Sequence, residues 1–276
     1  MDSILHIAKK ELNDGLRNRW LLFITILFAL MAIGISWFGA AASGHVGFTN
    51  LPATIASLAS LATFIVPLIA LLLAYDAIIG EEENGTLILL LAYPISKSDI
   101  ILGKFIGHGV ILSLATLVGF GSAAIAIAML VTEVDTAFLL LSFTKFILSS
   151  LLLGLVFLAF AYVLSCYAKE KSTAIGLALG LWFLFVLVFD LVLLALLVMS
   201  EGAFNPDALP WLLLLNPTDV YRLINLMGLD MTGNGVGVMS LAADLPVSAG
   251  VLWAVLGLWV ALALLLAKTL FMRKDF

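Results

Sequence analysis

The sequence predicts an all-α integral membrane protein of six transmembrane helices, preceded by an N-terminal amphipathic interface helix. Three observations predict it: an apolar fraction of 63% against 11% charged residues, six long apolar runs, and basic residues gathered in alternate connections. A soluble domain is about 45–50% apolar and about 25% charged. At a mean hydropathy of +1.21, lipid rather than water is the expected solvent. The 276 residues suit a single membrane domain over 1–276, with no room for a second large soluble one. A net charge of −5 argues against a nucleic-acid partner. The single cysteine, Cys166, excludes an internal disulfide or a multi-cysteine metal site and reads as structural.

The apolar runs fall near 20–41, 56–79, 105–132, 145–165, 173–199 and 247–268. Each crosses about 30 Å of hydrocarbon at about 1.5 Å per residue. They lack the alternation of barrel strands, so helices are expected. Lys9, Lys10, Arg17 and Arg19 before the first run resemble the start of a secretory signal. That run exceeds the roughly 7–15 residues of a signal core, so an uncleaved span is expected. Residues 3–17 place Ile4, Leu5, Ala8, Leu12 and Leu16 at helical spacing, an amphipathic pattern suited to a membrane interface.

Orientation follows from basic residues. Lys9, Lys10, Arg17, Arg19, Lys97, Lys104, Lys169, Lys171, Lys268, Arg273 and Lys274 fall on one side; only Lys145 and Arg222 fall on the other, among several carboxylates. The positive-inside rule then puts both termini in the cytosol, with 80–104 cytosolic and 200–246 on the opposite side.

Glu81-Glu82-Glu83 end the second span, and the loop after them carries a turn at Asn84-Gly85, a short apolar helix over 86–92 closed by Pro94, and Ser96-x-x-Asp99, a capping-box signature opening the third span. An apolar helix in an aqueous loop needs a cover, either the membrane or a partner's groove. With Leu102-Gly103-Lys104 downstream, this stretch resembles the coupling-helix region of ABC-2-type permeases, and the six-span plan with its leader is similar to that family along nearly the whole chain. The resemblance implies a homodimer in membrane lipid and a cytosolic ABC ATPase docked on Glu83, Gly85, Thr86, Leu87, Leu90 and Pro94. ATP is expected on that partner: Gly103-Lys104 is followed by Phe105 and lacks the phosphate-cradling loop. Asn84-Gly85-Thr86 fits a glycosylation sequon but is expected in the cytosol, where it has no meaning.

The last outer connection contains Asn216-Pro217-Thr218-Asp219-Val220-Tyr221-Arg222-Leu223. At 200–246 it is long enough for an ordered element or docking platform, with Trp211 and Tyr221 suited to an interface belt. This run resembles the ABC-2 permeases that serve maturation of periplasmic nitrous-oxide reductase. The resemblance implies a periplasmic β-helical copper-handling partner docked on Asn216, Pro217, Asp219, Tyr221 and Arg222, with copper held by that partner and no cofactor or catalytic group in this chain.

Asp190 is the carboxylate deepest in an expected span, either lining an ion path or snorkelling to the interface. Asp76 is expected to end its helix. Gly176-x-x-x-Gly180 and Gly103-x-x-x-Gly107 permit close helix approach, the first as a dimer seam. Met227 and Met231, with Met239 beyond, offer thioethers that suit Cu(I), though Met is also a common gap-filler. His6, His45 and His108 are dispersed. No His-Glu-x-x-His or Ser-His pair supports an intramembrane enzyme. A secondary transporter rests on Asp190 alone and lacks an internal repeat; an ABC-2 exporter of another solute is the remaining alternative. Within the leading reading, the dimer either conducts a solute or relays force to its periplasmic partner. The sparse polar groups of the spans favour the relay.

Overall fold

A computed structural model describes residues 2–17, 19–38, 51–131, 135–199, 209–226 and 247–274. Among the described residues the chain is all-helical. The elements are α1 (Asp2–Arg17), α2 (Trp20–Phe38), α3 (Leu51–Ala74), α4 (Ile79–Glu83), α5 (Thr86–Leu91) and α6 (Lys97–Leu130). They continue as α7 (Thr136–Tyr167), α8 (Lys171–Phe183), α9 (Phe189–Met199), α10 (Leu209–Leu214), α11 (Pro217–Leu226) and α12 (Ala249–Arg273). A π-helical turn, Leu184–Val188, joins α8 to α9. Five continuous stretches are long and apolar enough to span a membrane: Leu51–Glu83, Lys97–Leu130, Thr136–Tyr167, Lys171–Met199 and Ala249–Arg273. The sixth expected span corresponds to α2, whose 19 described residues follow a corner of 68° after α1. Arg19 makes that corner with a positive φ of 55°.

The third and fourth spans start earlier than their apolar runs suggest. Ser96 accepts a hydrogen bond from the Asp99 amide (3.0 Å), and Asp135 caps α7 by accepting from Ala137 and Phe138. Each cap satisfies helix-end amides and so fixes the start several residues ahead of the hydrophobic segment. Lys145 thereby lies within α7 rather than in a loop.

The helices α6 and α7 form the centre. Along α6 pack α1 and α2; along α7 pack α3 and α12, and α11 wedges among α3, α7 and α12. Small residues decide where α6 can be approached. A Cβ added at Gly103 would stand 2.7 Å from the Cβ of Ile7, and one at Gly107 would stand 2.6 Å from that of Glu11. The Gly103-x-x-x-Gly107 stripe therefore receives α1, which seats Ile7, Ala8 and Glu11 on α6. One helical stretch further, a Cβ at Gly119 would stand 2.4 Å from the Phe28 Cβ. This close seat brings Phe28 into stacking with Phe120 at 4.8 Å between ring centres, and Phe120 meets Phe146 of α7 at 4.9 Å. The Gly176 and Gly180 positions on α8 are open, with nothing within 4 Å of an added Cβ. The Lys171–Met199 stretch as a whole is little covered by the rest of the chain.

Gly119→Val forces α2 away from α6 and should cost about 1–3 kcal/mol by overpacking. Gly121→Val, where an added Cβ meets nothing within 4 Å, is the matched control. Thermal unfolding of the detergent-purified variants distinguishes them: a lower midpoint for Gly119→Val alone is expected, and equal midpoints would contradict the packing.

Candidate coupling site

The residues of the 80–104 loop assemble at the basic end of the bundle. After α3 the chain turns through Tyr75–Ile78, where Ser165 of α7 accepts hydrogen bonds from the Ile78 and Ile79 amides (2.9 and 3.1 Å). Two helix-start amides that would otherwise be orphaned are thereby tied to a central span. Asp76 sits in this turn, half-exposed, as expected of a helix-ending residue, with Lys171 Nζ 3.9 Å away.

Gly85 separates α4 from α5 with φ +71°. That conformation costs other residues roughly 1–2 kcal/mol, which is the physical reason for glycine at the turn of Asn84-Gly85. The Thr86 hydroxyl then donates back to the Glu81 carbonyl (3.2 Å). With helical periodicity, α5 turns Leu87 inward, where it is fully buried, and half-buries Leu90 and Leu91 against the core. Ile88 and Leu89 point the other way, 64% and 66% exposed, beside exposed Tyr93 and Pro94. The expectation that Leu87 and Leu90 present themselves to a partner is thus corrected. They anchor α5 to its own chain, because one face of a six-residue helix must be held, and the outward pair is Ile88 and Leu89.

The three consecutive glutamates reach three different places. Glu81 accepts from Lys104 of α6 (2.7 Å) and lies 3.6 Å from Lys10 of α1. Glu82 pairs with Lys274, just past α12. Glu83 accepts from the Lys171 backbone amide at the start of α8 (2.7 Å), a favourable place for a carboxylate at a helix N-terminus. Lys104, only 3% exposed, also donates to Glu11 of α1 (2.8 Å), so one buried ammonium joins α1, α4 and α6. Burial pushes the Glu11 carboxyl up, but the Lys104 ammonium and its hydrogen bond outweigh that and hold it below the ordinary carboxylate value. The His108 ring stands 3.6 Å from Glu11 and hydrogen-bonds Tyr162 of α7 (2.6 Å). Lys97 closes the ring by donating to the Lys274 carbonyl (3.0 Å) and lying over the Phe271 ring. A crevice of about 480 Å³, lined by Glu11, Asp14, Tyr75, Asp76 and His108 among others, opens beside this network. Sequence reading took the glutamates for a helix end. Their partners lie up to 192 positions away, so only the paired lysines at matching depth could have hinted at the network.

A second polar cluster forms around α11, and it overturns the expectation of a docking surface at Asn216, Pro217, Asp219, Tyr221 and Arg222. Asn216, Pro217, Asp219 and Tyr221 are buried against other helices of the same chain, and Arg222 is mostly so. The Asn216 amide donates to the Phe185 carbonyl (2.9 Å) and to Asp219 (2.9 Å), and Thr218 donates to the same carbonyl (3.1 Å). A π-helical turn displaces the helix's own hydrogen bonding, and α11 supplies partners for a carbonyl of that turn. The Tyr221 hydroxyl meets Ser150, and Asn225 donates to Ser149, both on α7. Tyr221 is therefore an internal strut rather than an interface-belt residue; Trp211 is exposed as expected. Arg222 pairs with both Asp190 and Asp219 (3.0 Å to the latter). Asp190 is thus neither a lone intramembrane acid nor independent of the Asp219–Arg222 pair. The signal was present in the sequence: Asn-Pro-Thr-Asp is a helix start, and Val220, Leu223 and Ile224 share an apolar face. Residues 200–208 and 227–246, with Met227, Met231 and Met239, lie outside the described residues, as does His45. Among the described residues no cluster of His, Cys, Asp and Glu fits a metal ion.

Among the described residues, five stretches long and apolar enough to span a membrane, or six with the bent α1–α2 pair, define a multi-pass helical membrane protein. The model of the ABC-2 family transporter proteins matches residues 5–276, and the chain belongs to that family. It is 66% identical over 274 residues to the "Probable ABC transporter permease protein NosY" of Stutzerimonas stutzeri, covering 99% of each chain. It is also 66% identical over 275 residues to the protein of the same description from Pseudomonas aeruginosa, covering both chains in full. The protein is accordingly the membrane permease of an ABC transporter.

Lys104→Met leaves Glu11 and Glu81 buried without their shared ammonium and should cost about 3–5 kcal/mol. Lys104→Arg keeps the charge and should cost less. In the native protein, the stability owed to Glu11 is complete above its unfolded pKa and fades as pH falls through its lowered folded value. Thermal midpoints measured against pH check both points; a Lys104→Met midpoint equal to wild type would contradict the buried pair.

Arg222→Met strands two carboxylates and should destabilise by about 3–5 kcal/mol. Asp190→Asn leaves one guanidinium with one carboxylate and should be mild. Unfolding in detergent compares them, and a larger loss for Asp190→Asn would contradict the proposed charge balance.

Proposed function

We propose that this permease couples ATP hydrolysis by a separate cytosolic ATPase to events at the periplasmic face, in support of copper delivery for maturation of nitrous-oxide reductase. The observation that carries the coupling is α5. It exposes Ile88 and Leu89, with Tyr93 just beyond, while Leu87 holds it to the core and the Glu81–Glu82–Glu83 pairs tie the preceding α4 to α1, α6, α8 and the end of α12. An exposed apolar helix face of this kind fits a groove on a partner, and its rigid attachment lets a push on α5 reach four other helices.

In this reading the basic end faces the cytosol of the bacterial inner membrane and both termini lie there, in keeping with the distribution of Lys and Arg. Two permeases pair through the little-covered α8–α9 stretch, with Gly176 and Gly180 at the seam. The copper assignment rests on the 66% identity to proteins described as NosY and on the Asn216–Leu223 run. Copper is handled by a periplasmic β-helical partner. That partner meets the rest of the 200–246 connection rather than α11, since α11 is internal.

Relay of motion fits better than conduction of a bare cation. A conducting path needs a ring of carbonyls or carboxylates to replace the hydration shell. Here Asp190 and Asp219 are both turned to Arg222, and Asn216 and Thr218 are committed to Phe185.

Leu89→Asp places a charge in the docked face and should abolish copurification of the ATPase while leaving the permease folded, because Leu89 is exposed in the isolated chain. Pull-down from membranes with coupled ATP hydrolysis as readout checks it. Unchanged copurification and coupling in Leu89→Asp would refute the assignment.

A further inference from the structure

A groove separate from the coupling site opens between α6 and α12 at the basic end. It has a volume of about 350 Å³ and is lined by Ser98, Ile101, Leu102, Ala261, Leu264, Leu265 and Lys268. Its two walls carry the same polarity gradient. On α6, Ser98 stands in the first helical turn and Ile101 and Leu102 follow one turn deeper. On α12, Lys268 lies five residues before the last helical residue, Arg273, which is about 7.5 Å at 1.5 Å per residue. Leu264, Leu265 and Ala261 lie one to two turns further from that end. The groove is therefore polar at its mouth and aliphatic in its depth.

Lys268 is exposed and has no hydrogen bond or ion pair among the described residues, whereas Lys97, Lys104, Lys171 and Lys274 at the same end are engaged. A cation on a span of this apolarity is held at the interface with its stem along the hydrocarbon. The walls belong to two spans, and Leu102 and Leu265 are themselves exposed on the outside of the bundle, so the groove faces lipid.

We propose that this groove binds one anionic phospholipid. The Lys268 ammonium and the Ser98 hydroxyl meet the headgroup phosphate, and an acyl chain lies along Ile101, Leu102, Leu264 and Leu265. The lipid bridges the end of the last span to the start of α6, beside the Lys97–Lys274 tie. A soluble phosphate would satisfy only the mouth and leave the aliphatic wall uncovered. A zwitterionic phospholipid would fill the wall but bring its own cation to Lys268.

Native mass spectrometry of the purified full-length chain, with phosphatidylglycerol and phosphatidylcholine added at equal concentration, tests this. One basic side chain near the headgroup should favour phosphatidylglycerol by about five-fold. Lys268→Gln should bring the two lipids to parity, Lys268→Arg should keep the preference, and Lys169→Gln, an exposed lysine outside the groove, should behave as wild type. Ala261→Trp, at an exposed position, should fill the groove and reduce retention of both lipids. Inorganic phosphate should not compete. Parity in the wild type, an undiminished preference in Lys268→Gln, unchanged retention in Ala261→Trp, or competition by inorganic phosphate would each overturn the proposal.

Discussion

The buried ammonium of Lys104, held between Glu11 and Glu81, is the interaction on which the basic end of this permease depends. A lysine 3% exposed within an apolar span is tenable only because two carboxylates surround it. Those carboxylates arrive from α1 and α4, so the electrostatic requirement of one residue fixes where those two helices lie. The glycines of α6 make this geometry possible. Gly103 and Gly107 let the α1 backbone approach closely enough for Glu11 to reach Lys104. Van der Waals fit and charge pairing thus specify the same arrangement, and Glu82 and Glu83 extend it to α12 and α8.

The outer half of the bundle solves a related problem with neutral groups. The α8–α9 span contains a π-helical turn, and Asn216 and Thr218 donate to the Phe185 carbonyl of that turn. Those hydrogen bonds hold the start of α11 against that span. Arg222 then faces Asp190 across the same gap. The two polar clusters use different chemistry: charge pairing among helix ends at the basic side, and hydrogen bonds to a span's backbone carbonyl around α11.

The spans were legible because lipid as solvent demands long apolar runs, and the Ser96 cap and the Gly85 turn were legible because their chemistry is local. What failed was the environment of polar residues in a membrane chain. Asn216 to Arg222 were expected at a docking surface because the connection is long and the resemblance implies a partner there, and neither says what covers those side chains. Here they satisfy each other and the Phe185 carbonyl. The glutamate triplet read as a helix terminus because its lysine partners at 104 and 274 are remote in sequence. The orientation of α5 was misassigned for a simpler reason: apolarity identifies a face to be covered but does not say whether the chain's own core or a partner covers it.

The central claim is that α4 and α5 belong mechanically to the bundle rather than to a loop. Hydrogen–deuterium exchange of the backbone amides in 79–91, measured on the full-length protein in lipid nanodiscs, tests it most directly. Protection comparable to the inner turns of α6, with a loss of that protection in Glu82→Gln, is the predicted result. Exchange at the rate of an unstructured peptide in the native protein would contradict it.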